Sequence, residues 1–200
     1  MRIIGGTAGG RLLKVPKGYD VRPTPDLVKQ ALFNSLAGRV PGAAVLELFA
    51  GSGALGLECL SRGAEQVTSV EKANRHARFI ADNVEAVGLD RARFDLRVQD
   101  AFTAIGQLVR DAHTFDLILA DPPFGEKNLG RRSTSFSQQL LDNAQLPALL
   151  RPGGLLILGH SKRDQLSVPT AWSERKLLKH GDSLFRFLEW VGNTAASPPT

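Results

Sequence analysis

Short runs of aliphatic and β-branched residues alternate, from residue 43 onward, with longer stretches in which apolar residues recur every three or four positions. The short runs predict β-strands at Val45–Phe49, Gln66–Val70, Phe94–Val98, Phe115–Ala120 and Leu155–Leu158. The longer stretches predict helices over residues 54–62, 73–87, 101–111 and 135–150. Strands that alternate with helices form right-handed βαβ units. The pattern therefore predicts an α/β fold with a Rossmann-like, mostly parallel sheet covered on both faces.

The alternation stops after residue 160, and the remaining apolar runs predict a different connection. Trp172–Leu178 and Ser183–Trp190 flank the turn residues His180-Gly181-Asp182, a pattern typical of an antiparallel hairpin that closes the sheet. Residues 192–200 are polar and contain proline, so we expect a disordered tail there.

The first 40 residues have a pattern of their own. Glycines separate short apolar runs in Ile3–Gly6 and Gly9–Leu13, which predicts a small β-hairpin. Thr24 precedes Pro25 and a helical run of apolar residues, so we expect Thr24 to cap a helix over residues 25–37 with Pro25 at its first position. The predicted units are a hairpin and helix in 1–40, a main domain in 41–191 and the tail in 192–200.

The composition is that of a globular protein. Of 200 residues, 42% are hydrophobic and 22% are charged, and the mean hydropathy is −0.10. These values exclude disordered, collagen-like and disulfide-rich chains. The single cysteine, Cys59, cannot form an internal disulfide, and no apolar run approaches the ~20 residues that a membrane span needs. We therefore expect a cytoplasmic protein without membrane contact.

The positive charge is concentrated near the N terminus. The formal net charge is +5, and residues 1–40 hold seven basic side chains against two acidic ones. The rest of the chain carries equal numbers of each sign. Two interpretations stay open at this point: a basic surface that only meets solvent, or a contact with a polyanion such as a nucleic acid.

A glycine-rich turn follows the first predicted strand. Gly51-x-Gly53-x-x-Gly56 matches the nucleotide-binding fingerprint, and Glu71 ends the second strand 20 residues after Gly51, where an acid binds ribose hydroxyls. Glycines permit the sharp turn and let a ligand approach the backbone. The alternative is a tight strand-to-helix turn that binds no ligand.

Two further acids narrow the choice of nucleotide. Glu47 lies just before the glycines, where its carboxylate could hydrogen-bond the amino group of an amino-acid-bearing ligand but would repel a pyrophosphate. This position disfavours NAD. Asp100 follows the third strand, and its carboxylate could accept a hydrogen bond from an adenine amino group or cap the helix that begins at Ala101. The two roles of Asp100 are compatible.

The fourth predicted strand runs directly into Asp121-Pro122-Pro123-Phe124. The prolines fix φ and remove N–H donors, which leaves rigid acceptors at the strand end. The Asp121 carboxylate and the Pro122 carbonyl can each accept one N–H of a planar NH2 group and so direct the nitrogen lone pair at an electrophile. Phe124 can stack on a base. The alternative is a Pro-Pro pair that only ends the strand.

These motifs together resemble the amino-methyltransferases that use S-adenosylmethionine (SAM). Arg2–Gly6, Gly10-Arg11 and Arg22-Pro23-Thr24, followed by Leu48–Glu58, are similar to the bacterial 16S ribosomal RNA guanine-N2 methyltransferases of the guanine-966 type, and the similarity extends to about residue 190. The resemblance implies a seven-stranded SAM-binding sheet with an N-terminal hairpin. It also implies a guanine of 16S ribosomal RNA as substrate, either in free RNA or within a 30S subunit or assembly intermediate.

The motifs and the resemblance together give the expected site residues. The expected catalytic residues are Asp121, Pro122, Pro123 and Phe124. The expected SAM-binding residues are Glu47, Phe49, Ala50, Gly51, Ser52, Gly53, Glu71, Lys72, Asp100 and Ala101. The expected RNA-binding residues are Arg2, Arg11, Lys14, Arg22, Arg131 and Arg132.

The chain departs from the family pattern in two places. Ala8 and Gly9 stand where a bulky residue and then a basic one are common, which removes charge from the hairpin. The loop over residues 125–135 is longer than expected, and its basic residues Arg131 and Arg132 could compensate.

Two other functions compete with this one. DNA adenine-N6 and protein glutamine methyltransferases also present Asp/Asn-Pro-Pro-aromatic to a planar amine. NAD-dependent oxidoreductases and non-catalytic nucleotide-binding modules share the glycine loop. The four histidines have no metal-ligand spacing, so we expect no metal, and we expect a monomer.

Overall fold

The computed structural model describes residues 1–15, 24–36, 38–124 and 132–192 of the chain. Its strands are β1 Ala44–Leu48, β2 Gln66–Glu71, β3 Phe94–Val98, β4 Phe115–Ala120, β5 Leu150–Ser161, β6 Trp172–His180 and β7 Ser183–Trp190. They form one seven-stranded sheet in the order β3-β2-β1-β4-β5-β7-β6. Strands β1 to β5 pair in parallel, and β7 lies antiparallel between β5 and β6. The predicted fold class is confirmed.

The helices of the described residues are α1 Asp26–Ser35, α2 Ala54–Ser61, α3 Asn74–Val87, α4 Ala101–Arg110 and α5 Phe136–Leu141. Short 3-10 helices span Arg91–Arg93 and Leu146–Leu149. None of these helices is long and apolar enough to cross a membrane. Residues 193–200 of the predicted tail lie outside the described residues.

The largest difference from the sequence prediction lies between residues 135 and 155. The apolar spacing predicts one helix over 135–150, but α5 ends at Leu141. The Asn143 side chain then accepts hydrogen bonds from the amides of Gln145 and Leu146, at 2.9 and 3.0 Å. Local bonding of this kind competes with the helix. Strand β5 consequently begins at Leu150, earlier than predicted.

The central strands bury both of their faces, because helices cover the sheet on both sides. Val45 of β1 belongs to one hydrophobic cluster, and Leu46 and Leu48 belong to the other. In β4, Leu117 and Ile118 separate in the same way. This two-sided burial explains why these strands are nearly continuous apolar runs in the sequence.

The N-terminal residues form a hairpin that shares the first of these clusters. Arg2 and Leu12 make an antiparallel bridge. Ile3 is fully buried and lies in the cluster that also contains Phe185 and Phe187 of β7. The hairpin expectation is confirmed in this short form, whereas the domain boundary at residue 40 stays a prediction.

Hydrogen bonds from backbone amides of the hairpin hold it against α2. The buried Glu58 carboxylate accepts the amides of Ile4 and Gly5, at 2.7 and 2.9 Å. Gly6 has a φ of +77°, and a Cβ there would lie 1.8 Å from the Ser61 carbonyl oxygen. Only glycine fits this contact, so Gly6 sets the close approach of the two segments.

Candidate active site

Acidic side chains meet at the carboxyl ends of the parallel strands. Glu47 lies in β1, Glu71 ends β2, Asp100 follows β3 and Asp121 follows β4. These strands are consecutive in the sheet order β3-β2-β1-β4, so the four carboxylates stand along one edge. Ligands of α/β sheets bind at this edge.

The turn between β1 and α2 requires its glycines for two different reasons. Gly51 and Gly53 have φ values of +59° and +74°, in the left-handed region that glycine adopts without strain. Gly56 lies inside α2, and a Cβ there would stand 2.6 Å from Glu47 Oε2. Phe49 also has a positive φ, of 58°. The first two glycines therefore shape the turn, and the third lets the helix approach β1.

Glu47 is bonded to this turn. Its Oε2 accepts the Ser69 hydroxyl at 2.6 Å, and its Oε1 accepts the amide of Leu55 at 3.1 Å. Burial raises the pKa of Glu47 to about 7, against the lowering effect of these hydrogen bonds and of one from the Gly56 amide. Glu47 thus holds the start of α2 against β2. A contact with a ligand's amino group stays a prediction.

Glu71 supports the same turn from the neighbouring strand. Its Oε2 accepts the Gly51 amide at 2.7 Å, and its Oε1 accepts the Ala73 amide at 2.8 Å. Carboxylate oxygens each accept two hydrogen bonds. Glu71 can therefore hold the loop and also take a ribose hydroxyl, and the second role stays a prediction.

Asp100 caps α4, as one of its two expected roles required. Its Oδ1 accepts the amides of Phe102 and Thr103, at 3.0 and 3.4 Å, and its Oδ2 lies 3.3 Å from Lys72 Nζ. Burial raises the pKa of Asp100, but the Phe102 amide and Lys72 outweigh it and hold the pKa below its usual value. Ala101 is buried at the start of the helix. An adenine contact of Asp100 stays a prediction.

Asp121 accepts fewer hydrogen bonds from the described residues than the other three carboxylates do. It is partly exposed, and its Oδ2 accepts the Thr24 hydroxyl at 2.8 Å. Burial raises the pKa of Asp121 to about 6, and the Thr24 hydrogen bond opposes this rise. Pro122 is buried, whereas Pro123 and Phe124 are exposed, with Phe124 at 42%. The turn therefore presents a carboxylate and an aromatic ring to the outside.

The contact with Thr24 corrects the expectation that this residue caps α1. The helix begins at Asp26, Pro25 occupies the cap position, and no side chain makes the capping hydrogen bond. The Thr24 hydroxyl instead bonds a carboxylate 97 positions away in sequence. Thr24 thereby becomes a site residue that sequence reasoning missed.

One cavity joins the glycine turn to the Asp121 turn. Its lining residues are Thr24, Glu47, Leu48, Phe49, Ala50, Gly51, Ser52, Ala54, Leu55 and Asp121. A larger cavity, of about 320 Å³, lies at the opposite edge of the sheet near Arg39, Asp116 and Arg151. None of the expected site residues lines it. The expected site residues Glu47, Gly51 and Asp121 therefore line the smaller of these two cavities.

Three aromatic rings pack beside the glycine turn. Phe49 lies 5.4 Å from Phe136 and 6.3 Å from Phe102, measured between ring centroids. Phe136 is 39% exposed. Sequence reasoning included Phe49 but missed Phe102 and Phe136. Both could have been found from their position, because each lies in the first turn of a helix that begins near the carboxyl ends of the strands.

The expected RNA-binding residues in the described chain make exposed ion pairs or hydrogen bonds. Arg2 pairs with Asp26 at 3.1 Å, Lys14 with Asp82 at 3.3 Å, and Arg132 with Asp142 at 2.6 Å. Arg11 Nη1 donates to the Ala86 carbonyl at 3.4 Å. Exposed pairs contribute about 0–1 kcal/mol.

Phosphates can compete for such weakly held cations. Arg22 and Arg131 lie outside the described residues. Among the residues that the structure describes, no group of three or more potential metal ligands occurs.

Comparisons with known proteins agree with this geometry. The chain is 33% identical over 173 residues to ribosomal RNA small subunit methyltransferase D of Haemophilus influenzae, which covers 86% of this chain and 85% of that protein. A solved structure described as "Putative methyltransferase yhhF from Escherichia coli" superposes with a TM-score of 0.77 at 27% identity, over 95% of this chain and 97% of that one.

A SAM-dependent methyltransferase from Agrobacterium tumefaciens superposes with a TM-score of 0.56 at 27% identity, over 72% of this chain and 46% of that one. The family model described as "Conserved hypothetical protein 95" matches residues 1–189. The resemblance inferred from the motifs is confirmed. The chain belongs to this family and has the fold of the SAM-dependent methyltransferases.

Proposed function

We propose that this protein transfers a methyl group from SAM to the exocyclic N2 amine of a guanine in 16S ribosomal RNA. The observation that carries the proposal is the cavity in which the Asp121 carboxylate faces the glycine turn. The shared cavity supports a role for Asp121 as acceptor for a planar amine, because ligands of α/β sheets bind at these strand ends.

The residues present fit SAM. Gly51 and Ser52 of the glycine turn line the cavity. We expect Glu71, at the end of β2, to bind the ribose and Asp100, after β3, to bind the adenine. Glu47 adds a carboxylate close to the turn, which suits an amino group better than a pyrophosphate. When bound, SAM supplies an activated methyl group whose transfer to nitrogen leaves a neutral thioether.

Asp121 and Pro122 would act on the substrate amine. The Asp121 carboxylate and the Pro122 carbonyl would each accept one N–H, which directs the N2 lone pair toward the methyl group. Nitrogen must lose a proton once the N–CH3 bond has formed. Because its pKa is about 6, Asp121 is mainly ionised at neutral pH and can accept that proton before passing it to water.

Phe124 and the basic residues would position the RNA. The exposed Phe124 ring can stack on the guanine, a contact worth about 1–3 kcal/mol, after the base has left its stack at a cost of a few kcal/mol. Arg2, Arg11, Lys14 and Arg132 would hold phosphates. We further propose that the RNA is methylated within a 30S subunit or assembly intermediate. The enzyme would act in the cytoplasm as a monomer and without a metal.

Methyl transfer to defined nucleic acids tests the proposal. Tritiated SAM is incubated with the full chain and with unmodified 16S ribosomal RNA made by transcription, 30S subunits rebuilt from that RNA, or duplex DNA. The product is digested and the methylated nucleoside is identified. We expect N2-methylguanosine from one of the RNA substrates and transfer at least about 100-fold slower with an Asp121→Ala variant.

Two outcomes would contradict the proposal. N6-methyladenine in the DNA would assign the planar-amine site to a different substrate. If calorimetry shows tight binding of NADH and no binding of SAM, the glycine turn would belong to an NAD-dependent oxidoreductase instead.

A further inference from the structure

The hydroxyl of Thr24 makes a contact that the proposed chemistry does not yet use. Thr24 Oγ1 donates to Asp121 Oδ2 at 2.8 Å, and both residues line the cavity between the two turns. Among the described residues, this is the one hydrogen bond that Asp121 receives from a side chain. A residue of the N-terminal part of the chain is therefore in direct contact with the expected catalytic carboxylate.

The other carboxylate oxygen is confined by β5. A Cβ at Gly159 would lie 2.3 Å from Asp121 Oδ1, so the absence of a side chain at this position leaves room for the carboxylate. Oδ1 thus occupies the space beside Gly159 that a side chain would fill, and Oδ2 accepts the Thr24 hydroxyl. The carboxylate therefore lies between β5 and Thr24.

Thr24 is itself held in place by a firmly anchored helix. Val28 and Phe33 of α1 are buried in the hydrophobic cluster that joins the hairpin and α2. Asp26, two residues after Thr24, pairs with Arg2 at 3.1 Å and with the buried Lys29 at 3.5 Å. The hydroxyl therefore sits at the start of a packed element, which holds a side chain more accurately than a free loop does.

We propose that Thr24 is a positioning residue that holds the Asp121 carboxylate in the orientation in which it accepts the substrate amine, an inference that rests on the proposed function. Oδ2 can accept the Thr24 hydroxyl and a substrate N–H together, because each carboxylate oxygen has two acceptor sites. The Thr24 hydrogen bond also favours the ionised carboxylate, since it opposes the rise in the pKa of Asp121 that burial causes. Docking of the N-terminal segment thereby becomes part of the assembled catalytic site.

Paired substitutions separate this role from a structural one. Thr24→Val keeps the shape of the side chain and removes the donor, whereas Thr24→Ser keeps the hydroxyl. Ser35→Ala is a matched control, since the hydroxyl of Ser35, at the end of α1, donates to the Ala31 carbonyl and accepts from the exposed Lys176. Single-turnover transfer to the RNA that the wild-type protein methylates is measured from pH 5 to 8.5, together with the SAM dissociation constant.

We expect Thr24→Val to lower the transfer rate about 10- to 100-fold, to leave SAM binding within about twofold, and to move the acid limb of the pH profile to higher pH. Thr24→Ser should restore most of the rate, and Ser35→Ala should match the wild type. A wild-type rate and profile for Thr24→Val would overturn the proposal. A faster Thr24→Val would also overturn it, since the hydroxyl would then obstruct the amine, as would a Thr24→Ser variant no better than Thr24→Val.

A second measurement keeps the proposal separate from the proposed function. The titration of Asp121 is followed by NMR of carboxyl-labelled aspartate, with the resonance assigned by its loss in Asp121→Asn. Thr24→Val should raise the apparent pKa of Asp121 whether or not RNA is the substrate. An unchanged titration would overturn the positioning role, whereas failure of the wild-type protein to methylate any RNA would overturn the proposed function alone.

Discussion

Glu47 and Asp121 are carboxylates on neighbouring strands of the same sheet edge, and burial raises the pKa of both, to about 7 and about 6. Their surroundings differ. Glu47 accepts the Ser69 hydroxyl and the Leu55 amide, whereas Asp121 accepts the Thr24 hydroxyl. A pKa raised by burial therefore does not by itself identify the catalytic carboxylate. Both carboxylates line the same cavity, but Glu47 spends most of its acceptor sites on the glycine turn and on β2, whereas Asp121 accepts one side-chain hydrogen bond from the described residues.

The sharpest test of this comparison removes the Asp121 carboxylate. We expect Asp121→Ala to lower single-turnover methyl transfer by about 10²–10⁴-fold, because it removes an acceptor for the substrate amine. SAM binding should change little, and calorimetry measures it. A variant that keeps wild-type turnover would show that Asp121 has no part in the chemistry.

The structural role of Glu47 can be tested by adding a methyl group next to its carboxylate. In Gly56→Ala the added Cβ would stand 2.6 Å from Glu47 Oε2. We expect a loss of about 1–3 kcal/mol in the free energy of unfolding, measured with urea, since overpacking strains the contact.

Gly106→Ala in α4 is the matched control for Gly56→Ala. A Cβ at residue 106 meets its nearest neighbour, Gln145 Oε1, at 3.5 Å, an ordinary contact. There the usual gain of about 0.5–1 kcal/mol for alanine over glycine in a helix should appear. Equal stabilities for the two variants would contradict the tight contact between α2 and Glu47.

The two carboxylates should also differ in how their removal affects stability. The pKa of Asp121 is raised from its ordinary 3.8 to about 6, so the native state gains stability from the protonated form below pH 4 and loses it as the pH rises through 6. Asp121→Asn resembles the protonated form at every pH. We expect it to be about 1–3 kcal/mol more stable than the wild type at pH 7.5.

This advantage should disappear as the pH falls toward 4, and thermal melts across the range measure it. Asp121→Asn therefore trades activity for stability, as is common at functional sites. An Asn variant that is less stable than the wild type at pH 7.5 would show that Asp121 supports the fold as Glu47 does.

Neither carboxylate should set the salt dependence of RNA binding, which is the smallest effect expected here. Arg11→Gln should reduce the slope of log K against log salt by about 0.7–0.9, the value for one phosphate contact. Arg91 is an exposed cation that lies just before β3, at the amino ends of the parallel strands. Arg91→Gln should leave the slope unchanged, as should Asp121→Asn. Filter binding over a salt series measures all three. An RNA affinity that does not change with salt would contradict the placement of the hairpin in the RNA interface.

The sheet could be predicted from the sequence because its central strands bury both faces. Residues such as Leu117 and Ile118 lie in opposite clusters, so the strand is a continuous apolar run with turn residues at its ends. The break after α5 could not be predicted from apolar spacing, since it depends on hydrogen bonds to the Asn143 side chain.

The site could be predicted where its residues are adjacent in the sequence. It could not be predicted where two residues in contact are far apart in the sequence. The glycine turn and the Asp121 turn are each read from adjacent letters, and the structure brings both to one cavity. Local rules assigned Thr24 to the helix cap, because the competing acceptor is 97 positions away. Phe102 and Phe136 escaped notice because helical periodicity alone explains an apolar residue there.

The shared cluster of Ile3 and Phe187 has a consequence for how the protein is made. Synthesis is vectorial, so β7, which lies inside the sheet between β5 and β6, becomes available only when nearly all of the chain exists. Until then the cluster that holds the hairpin lacks Phe185 and Phe187, so we expect the hairpin to complete its packing only at the end of synthesis.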